Sequence, residues 1–182
     1  MCGRFTAAGA NGRRDVRPND SYPVAAATGG TLMRWGFRFD GRLTINARAE
    51  TAPVRFRTAF SSGRCAVEVS GFYEWSPQKQ AFYYTAADGD IILCALSRRE
   101  QPPIRRGAFG QIGFLPDAEP EPEPEDRFVV ITTAANDSVS PVHDRMPLIV
   151  DRRRLDEWLY DDGYAKNLLT ARMPMLESVA VR

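Results

Sequence analysis

The sequence predicts an α+β fold built mainly from antiparallel strands, and two observations carry that expectation. Seven short runs rich in β-branched or aromatic residues are set apart by Gly, Asp or Pro. Helical signals between them are too few to supply the crossovers of a parallel sheet. In chain order, Thr31–Phe37 and Leu43–Ala47 read as strands. Val54–Phe60 reads as a short helix, with Pro53 near its first turn, where a missing N–H does no harm. Cys65–Ser70 is the next strand. Asp88-Gly89, between the runs Ala81–Thr85 and Ile91–Leu96, predicts a hairpin, because a tight turn needs positive φ. Phe128–Thr133 and Leu148–Val150 complete the strands. Asp151 then caps a helix over Arg152–Tyr160, with Leu155, Trp158 and Leu159 on one face.

The 182 residues are expected to form one unit, 1–182. No apolar run reaches the ~20 residues of a membrane span, and the N-terminus lacks the core of a secretory signal, so the cytoplasm is the expected location. Three cysteines without CxxC spacing and a single histidine predict neither disulfides nor a metal site, and no cofactor is called for. The net charge of +1 conceals an asymmetry: residues 1–64 hold eleven arginines against four acids, or +7. Such asymmetry suits a polyanionic partner, although scattered surface arginines account for it equally well. The run 116–126 alternates Glu with Pro at its centre and reads as an extended, solvated acidic loop.

A few residues have the chemistry for a reaction. If Met1 is removed, Cys2 presents an α-amine beside a thiol, with ordinary pKa values of about 7.7–8.0 and 8.5. Both nucleophiles are then available near neutral pH, and a 1,2-aminothiol condenses with an aldehyde to a thiazolidine. The alternative is that a second-position cysteine has no chemical role. His143, in Val142-His143-Asp144-Arg145-Met146-Pro147, is a candidate proton shuttle or a structural residue. Glu74 stands among aromatics in Gly71-Phe72-Tyr73-Glu74-Trp75, where partial burial raises a carboxyl pKa toward general acid–base use; an edge-strand Glu reaching solvent is the other reading. In Asn46-Ala47-Arg48-Ala49-Glu50 the amide could orient a carbonyl or amine and Arg48 could hold a phosphate. Trp35-Gly36-Phe37, flanked by Arg34 and Arg38, suits either nucleic-acid stacking or core packing. Cys65 and Cys94 read as buried packing thiols.

Together and in order, Met1-Cys2-Gly3-Arg4-Phe5, Trp35-Gly36, Asn46 to Glu50, Arg64-Cys65 leading to Ser70-Gly71-Phe72-Tyr73-Glu74-Trp75, and Thr132 to Asn136 followed by His143 to Pro147 resemble the SOS response-associated peptidase family. The resemblance implies a barrel-like domain that processes abasic sites in single-stranded DNA, its partner, and acts as a monomer. By it, Cys2 forms a thiazolidine with the ring-opened sugar aldehyde, Asn46 positions the amine or the sugar, and Glu74 and His143 move protons. Arg48 and Arg145, with Arg4 a weaker candidate, contact phosphates, while Trp35 and Phe37 support or stack against nucleotides. The family name also implies an autopeptidase activity that frees Cys2; with only Met1 ahead of it, aminopeptidase action suffices. A peptidase acting on proteins and a plain single-strand binding module are the competing readings. Departures are a short stretch between Trp35-Gly36 and Asn46, Glu68 where proline is usual, and Cys94-Ala95-Leu96-Ser97 in place of Ala-Gly-Leu-Trp.

Overall fold

The computed structural model describes residues 2–9, 14–39, 41–101 and 123–181. Its strands are β1 (Phe5–Ala7), β2 (Asp15–Val16), β3 (Ser21–Ala26), β4 (Gly29–Trp35), β5 (Phe37–Phe39), β6 (Arg42–Thr44) and β7 (Asn46–Arg48). Helices α1 (Ala52–Arg55) and α2 (Arg57–Ser62) precede β8 (Arg64–Trp75), β9 (Ala81–Thr85), β10 (Ile91–Glu100), β11 (Glu125–Ala134), β12 (Arg145–Pro147) and β13 (Ile149–Val150). A 3₁₀ turn (Arg152–Arg154), α3 (Leu155–Tyr160), α4 (Asp162–Leu168) and β14 (Glu177–Val181) follow. The α+β, mainly antiparallel expectation holds.

Five strands close a ring. β8 pairs with β10, β10 with β11, β11 with β4, β4 with β3, and β3 returns to β8. Only the β11–β4 rung is parallel, and β7 also lies parallel on β11. The twelve-residue β8 outruns this barrel. Its first half pairs with β10, and its second half carries β1 on one edge and β9 on the other, with β14 beyond β9.

The expected elements are modified where glycine or pairing intervenes. Thr31–Phe37 breaks at Gly36, whose φ of 108° no L-residue adopts readily, so the chain turns from β4 into β5. Val54–Phe60 becomes two helical pieces broken at Phe56, with φ −118° and ψ 38°. Asp88-Gly89 does make a turn, with an Ala86–Gly89 bridge, but no hairpin: β9 and β10 part and pair with different halves of β8. Asp151 caps as expected, accepting from the Arg153 N–H, although the first turn is 3₁₀. Of the expected acidic loop 116–126, residues up to 122 lie outside the described ones, while Glu125 and Asp126 begin β11 rather than a loop.

The barrel core centres on Trp35, fully buried, stacked on Phe128 at 6.2 Å and tilted against Phe5 at 4.8 Å. Its indole N–H donates to the Ile45 carbonyl at 2.9 Å, which satisfies the polar end that burial would otherwise strand. Arg64 opens β8 from inside the protein, donating to the carbonyls of Trp158, Phe60 and Leu159 and to Asp162, and so fastens the helices onto the barrel. Cys65 and Cys94 are buried, and burial pushes the Cys65 thiol up to about 12, as packing thiols require.

Gly71 has a steric reason. A Cβ there would lie 2.4 Å from the Tyr84 carbonyl oxygen and 2.6 Å from the Tyr83 hydroxyl. Gly71→Ala must push β9 off β8, and a loss of about 1–3 kcal/mol is expected from denaturant unfolding.

Candidate functional site

β1 brings Cys2 to the far end of β8. Phe5 pairs with Phe72, and the Tyr73 N–H donates to the Arg4 carbonyl at 2.9 Å, so the residues before β1 run beside Glu74 and Trp75. Alternation along β8 puts Phe72 and Glu74 on one face. Glu74 is 1% exposed, and burial raises its pKa to about 7, with the positive charge of the amino terminus drawing it partly back. Cys2 is fully buried. Its thiol lies 3.8 Å from the Arg4 carbonyl, and burial together with the Glu74 charge pushes its pKa far above the ordinary value. With Met1 still ahead of it, Cys2 thus sits where burial favours the protonated thiol.

β7 supplies Asn46, whose amide N–H donates to the Cys2 carbonyl at 2.9 Å. The Asn46 carbonyl oxygen is buried without a hydrogen-bond partner among the described residues.

His143 arrives on the turn between β11 and β12, and the Thr132–Asn136 motif explains that turn. Asn136 accepts from the N–H and hydroxyl of Ser138 and donates to the carbonyls of Met173 and Pro174, pinning the loop to the C-terminal segment. The His143 N–H then donates to Val139, and its Nδ1 accepts from the Arg145 N–H at 2.9 Å. With Nδ1 so engaged, the neutral ring carries its proton on Nε2. Burial first, and then the charge of the amino terminus, hold the His143 pKa below its ordinary value. One terminal charge thus acts on both Glu74 and His143, and Glu74 acts on Cys2, so Cys2, Asn46, Glu74 and His143 share one electrostatic neighbourhood.

The arginines differ in availability. Arg145 forms a bidentate pair with Glu50 at 2.6 and 2.9 Å and donates to the Thr132 carbonyl, so it ties β12 to β11 and to the turn after β7. Arg4 lies over the rings of Tyr73 and Trp75 at 5.2 and 5.3 Å and faces Asp15 at 3.6 Å. Arg48 is exposed, with no ion pair to the described residues.

A model of known sequences described as SOS response associated peptidase (SRAP) matches residues 11–181. The chain belongs to this family. Among its relatives, abasic site processing protein YedK of Escherichia coli is 30% identical over 165 residues, covering 80% of this chain and 67% of that protein. Abasic site processing protein YoqW of Bacillus subtilis is 30% identical over 156 residues, 75% and 62% of the two chains. The chain thus spans about two thirds of the length of these relatives. A crystal structure of a Bordetella bronchiseptica protein matches with TM-score 0.76 at 18% identity over all of both chains. One from Bacteroides thetaiotaomicron matches with TM-score 0.73 at 20% identity, covering 92% of this chain and 77% of that one. The barrel is therefore the fold of solved structures as well.

Within this SRAP chain, the structure corrects the expectation of stacking aromatics and adds one residue to the site. Trp35 and Phe37 are fully buried and belong to the core, so neither ring is available to stack on a nucleotide. Tyr84 was not anticipated. It pairs with Phe72 across β8 and β9, stacks on it at 5.3 Å, and its buried hydroxyl has no hydrogen-bond partner among the described residues. Burial and the Glu74 charge raise its pKa. Only the register of β9 on β8 reveals this neighbour of Glu74, and the hairpin expected from Asp88-Gly89 points elsewhere.

Proposed function

We propose that the protein processes abasic sites in single-stranded DNA by joining Cys2, made the terminal residue by loss of Met1, to the ring-opened sugar. The single observation that carries this reading is a buried Glu74, its pKa raised to about 7, whose charge acts on the thiol of Cys2 while Asn46 tethers the Cys2 carbonyl. The relatives' names, abasic site processing proteins, support it.

The Cys2 amine attacks the aldehyde carbon and gives a carbinolamine. Protonated Glu74 gives its proton to the departing hydroxyl, which leaves as water, and an iminium faces the new carboxylate. That carboxylate takes the thiol proton, and the sulfur closes the ring on the iminium carbon, restoring protonated Glu74. A carboxyl near pKa 7 serves both steps because it is available in either form at neutral pH. The high thiol pKa calls for such a base at the moment of closure. In this reading His143, its pKa held low, moves protons on the sugar, and Asn46 holds Cys2 in line.

Incubation with an oligonucleotide carrying one abasic site is expected to give an adduct that survives denaturation, and Cys2→Ala is expected to abolish it. Absence of an adduct from protein whose intact mass shows Cys2 at the terminus overturns the reading. Hydrolysis of peptides by the same protein without DNA, blocked by alkylating Cys2, is the result the peptidase alternative requires. Arg48, exposed and outside any acidic pair among the described residues, serves as a phosphate contact. Arg48→Gln is expected to lower the slope of log affinity against log salt by about 0.7, measured on intact single strands.

A further inference from the structure

The chemistry around Cys2 uses little of the arginine excess. Arg34 and Arg38 face Glu125, and Arg64 is buried on Asp162. Arg55 and Arg57, on α1 and α2, are exposed, and neither has an ion pair to the described residues. With Arg98 and Arg99 of β10 they line a groove of about 770 Å³ between the two helices and the barrel wall. Arg98 and Arg99 also line an adjoining groove of about 810 Å³, whose other wall holds Arg38 and Arg42.

Neither groove contains Cys2, Asn46, Glu74 or His143. Arg64, at the groove, and Glu74 stand ten residues apart on β8, which is about 33 Å of extended strand. The acids present are largely committed: Asp126 lies 3.4 Å from Arg99, and Glu100 is buried against Arg98 and Arg127. Thr28, Thr31, Thr58 and Ser62 add hydroxyls along the wall. Arg98 lies 4.4 Å over Phe37 and 4.1 Å over Phe39 with its fork bonded to Glu100 and the Arg38 carbonyl, so it shapes the wall and leaves Arg55 and Arg57 as the cations open to a ligand.

We propose that these joined grooves are a second binding track, distinct from the reaction site, for the phosphodiester backbone of single-stranded nucleic acid. The proposal rests on the DNA-processing reading above for the identity of its polyanion. The exposed guanidinium forks of Arg55 and Arg57 and the hydroxyl donors meet phosphate oxygens without reading bases. The track gives the protein a hold on undamaged strand away from the lesion.

The test uses the Cys2→Ala protein, which forms no covalent bond, with lesion-free oligonucleotides of about 4 and about 16 nucleotides. Fluorescence anisotropy is read across a salt series. Arg55→Gln with Arg57→Gln, both exposed positions, is expected to lower the salt slope on the longer strand by about 1.4 and its affinity several-fold, with a much smaller change on the shorter strand. An unchanged slope and affinity on the longer strand, with an unchanged melting temperature, overturns the proposal. Competition by poly-L-glutamate as effective as that of single-stranded DNA also overturns it, because the groove is then an acidic-peptide site. An abasic-site adduct is scored separately: if it is absent while the arginine-dependent binding persists, the reading of Cys2 falls and the track stands.

Discussion

Glu74→Gln is expected to yield a protein that is more stable than its parent above neutral pH and far slower in the reaction. The Glu74 pKa rises from an ordinary 4.5 to about 7 on folding, chiefly through burial. Between these values the folded state holds a proton that the unfolded state has released, so stability falls as pH rises through this window. Above pH 7 the folded protein carries the full penalty of a buried carboxylate, about 3 kcal/mol for a shift of this size. Glutamine keeps the shape without the charge. The variant should therefore gain up to about 3 kcal/mol at pH 8 and almost nothing near pH 4, as read by denaturant unfolding at the two pH values. Adduct formation should slow by about 10²–10⁴-fold, the usual contribution of a positioned acid–base group. The pH profile should change as well. The parent rate rises with deprotonation of the Cys2 amine and falls as Glu74 loses its proton above about 7, while the variant keeps only the rise. A variant that is slow but retains the alkaline decline would remove Glu74 from the proton transfers.

Arg127→Met is expected to have the largest effect on stability. Arg127 is fully buried in β11 and donates to the Gly36 carbonyl at 2.6 Å, to the Asn19 side chain at 3.1 Å and to Glu125 at 2.8 Å, with Glu100 at 3.5 Å. Glu100 in turn accepts from the Arg38 N–H at 2.9 Å, which ties β5 to the barrel. Removing one member of a buried pair leaves the other charge uncompensated, a loss of about 3–5 kcal/mol. At this chain length that corresponds to a fall in melting temperature of roughly 6–20 °C. Arg99→Met is the comparison, because its pair with Asp126 is largely exposed and contributes only about 0–1 kcal/mol. Equal melting temperatures for the two variants would show that the Arg127 network adds nothing beyond surface pairing.

Much of the barrel was legible in the chain because its strands carry β-branched residues between turn formers, as in Ile91–Leu96 and Phe128–Thr133. The misses have physical causes. β3 was hidden by Pro23 in its middle, and β1 and β2 are too short to show a period. β14 pairs with β9 through backbone groups while its side chains face outward, so it leaves little apolar pattern. At the site, Asn46, Glu74 and His143 were legible as chemistry-bearing residues, Glu74 because a carboxylate stands among aromatics. The burial that holds the Cys2 proton in place was not, since it comes from β1 lying along β8, a pairing across more than sixty residues. For Trp35 core packing is the commoner reading and a stacking platform the other, and the indole bond to the Ile45 carbonyl goes with the core.

The closed ring also bears on when reactivity appears during synthesis. Positions 2, 46, 74 and 143 sit on separate segments, and the His143 turn is pinned by contacts as late as Met173 and Pro174. Before β8 and the turn that carries His143 have folded, Cys2 has neither Glu74 nor His143 beside it. The full arrangement exists only once nearly the whole chain has emerged and the barrel has shut, so a nascent or truncated chain does not carry the assembled site.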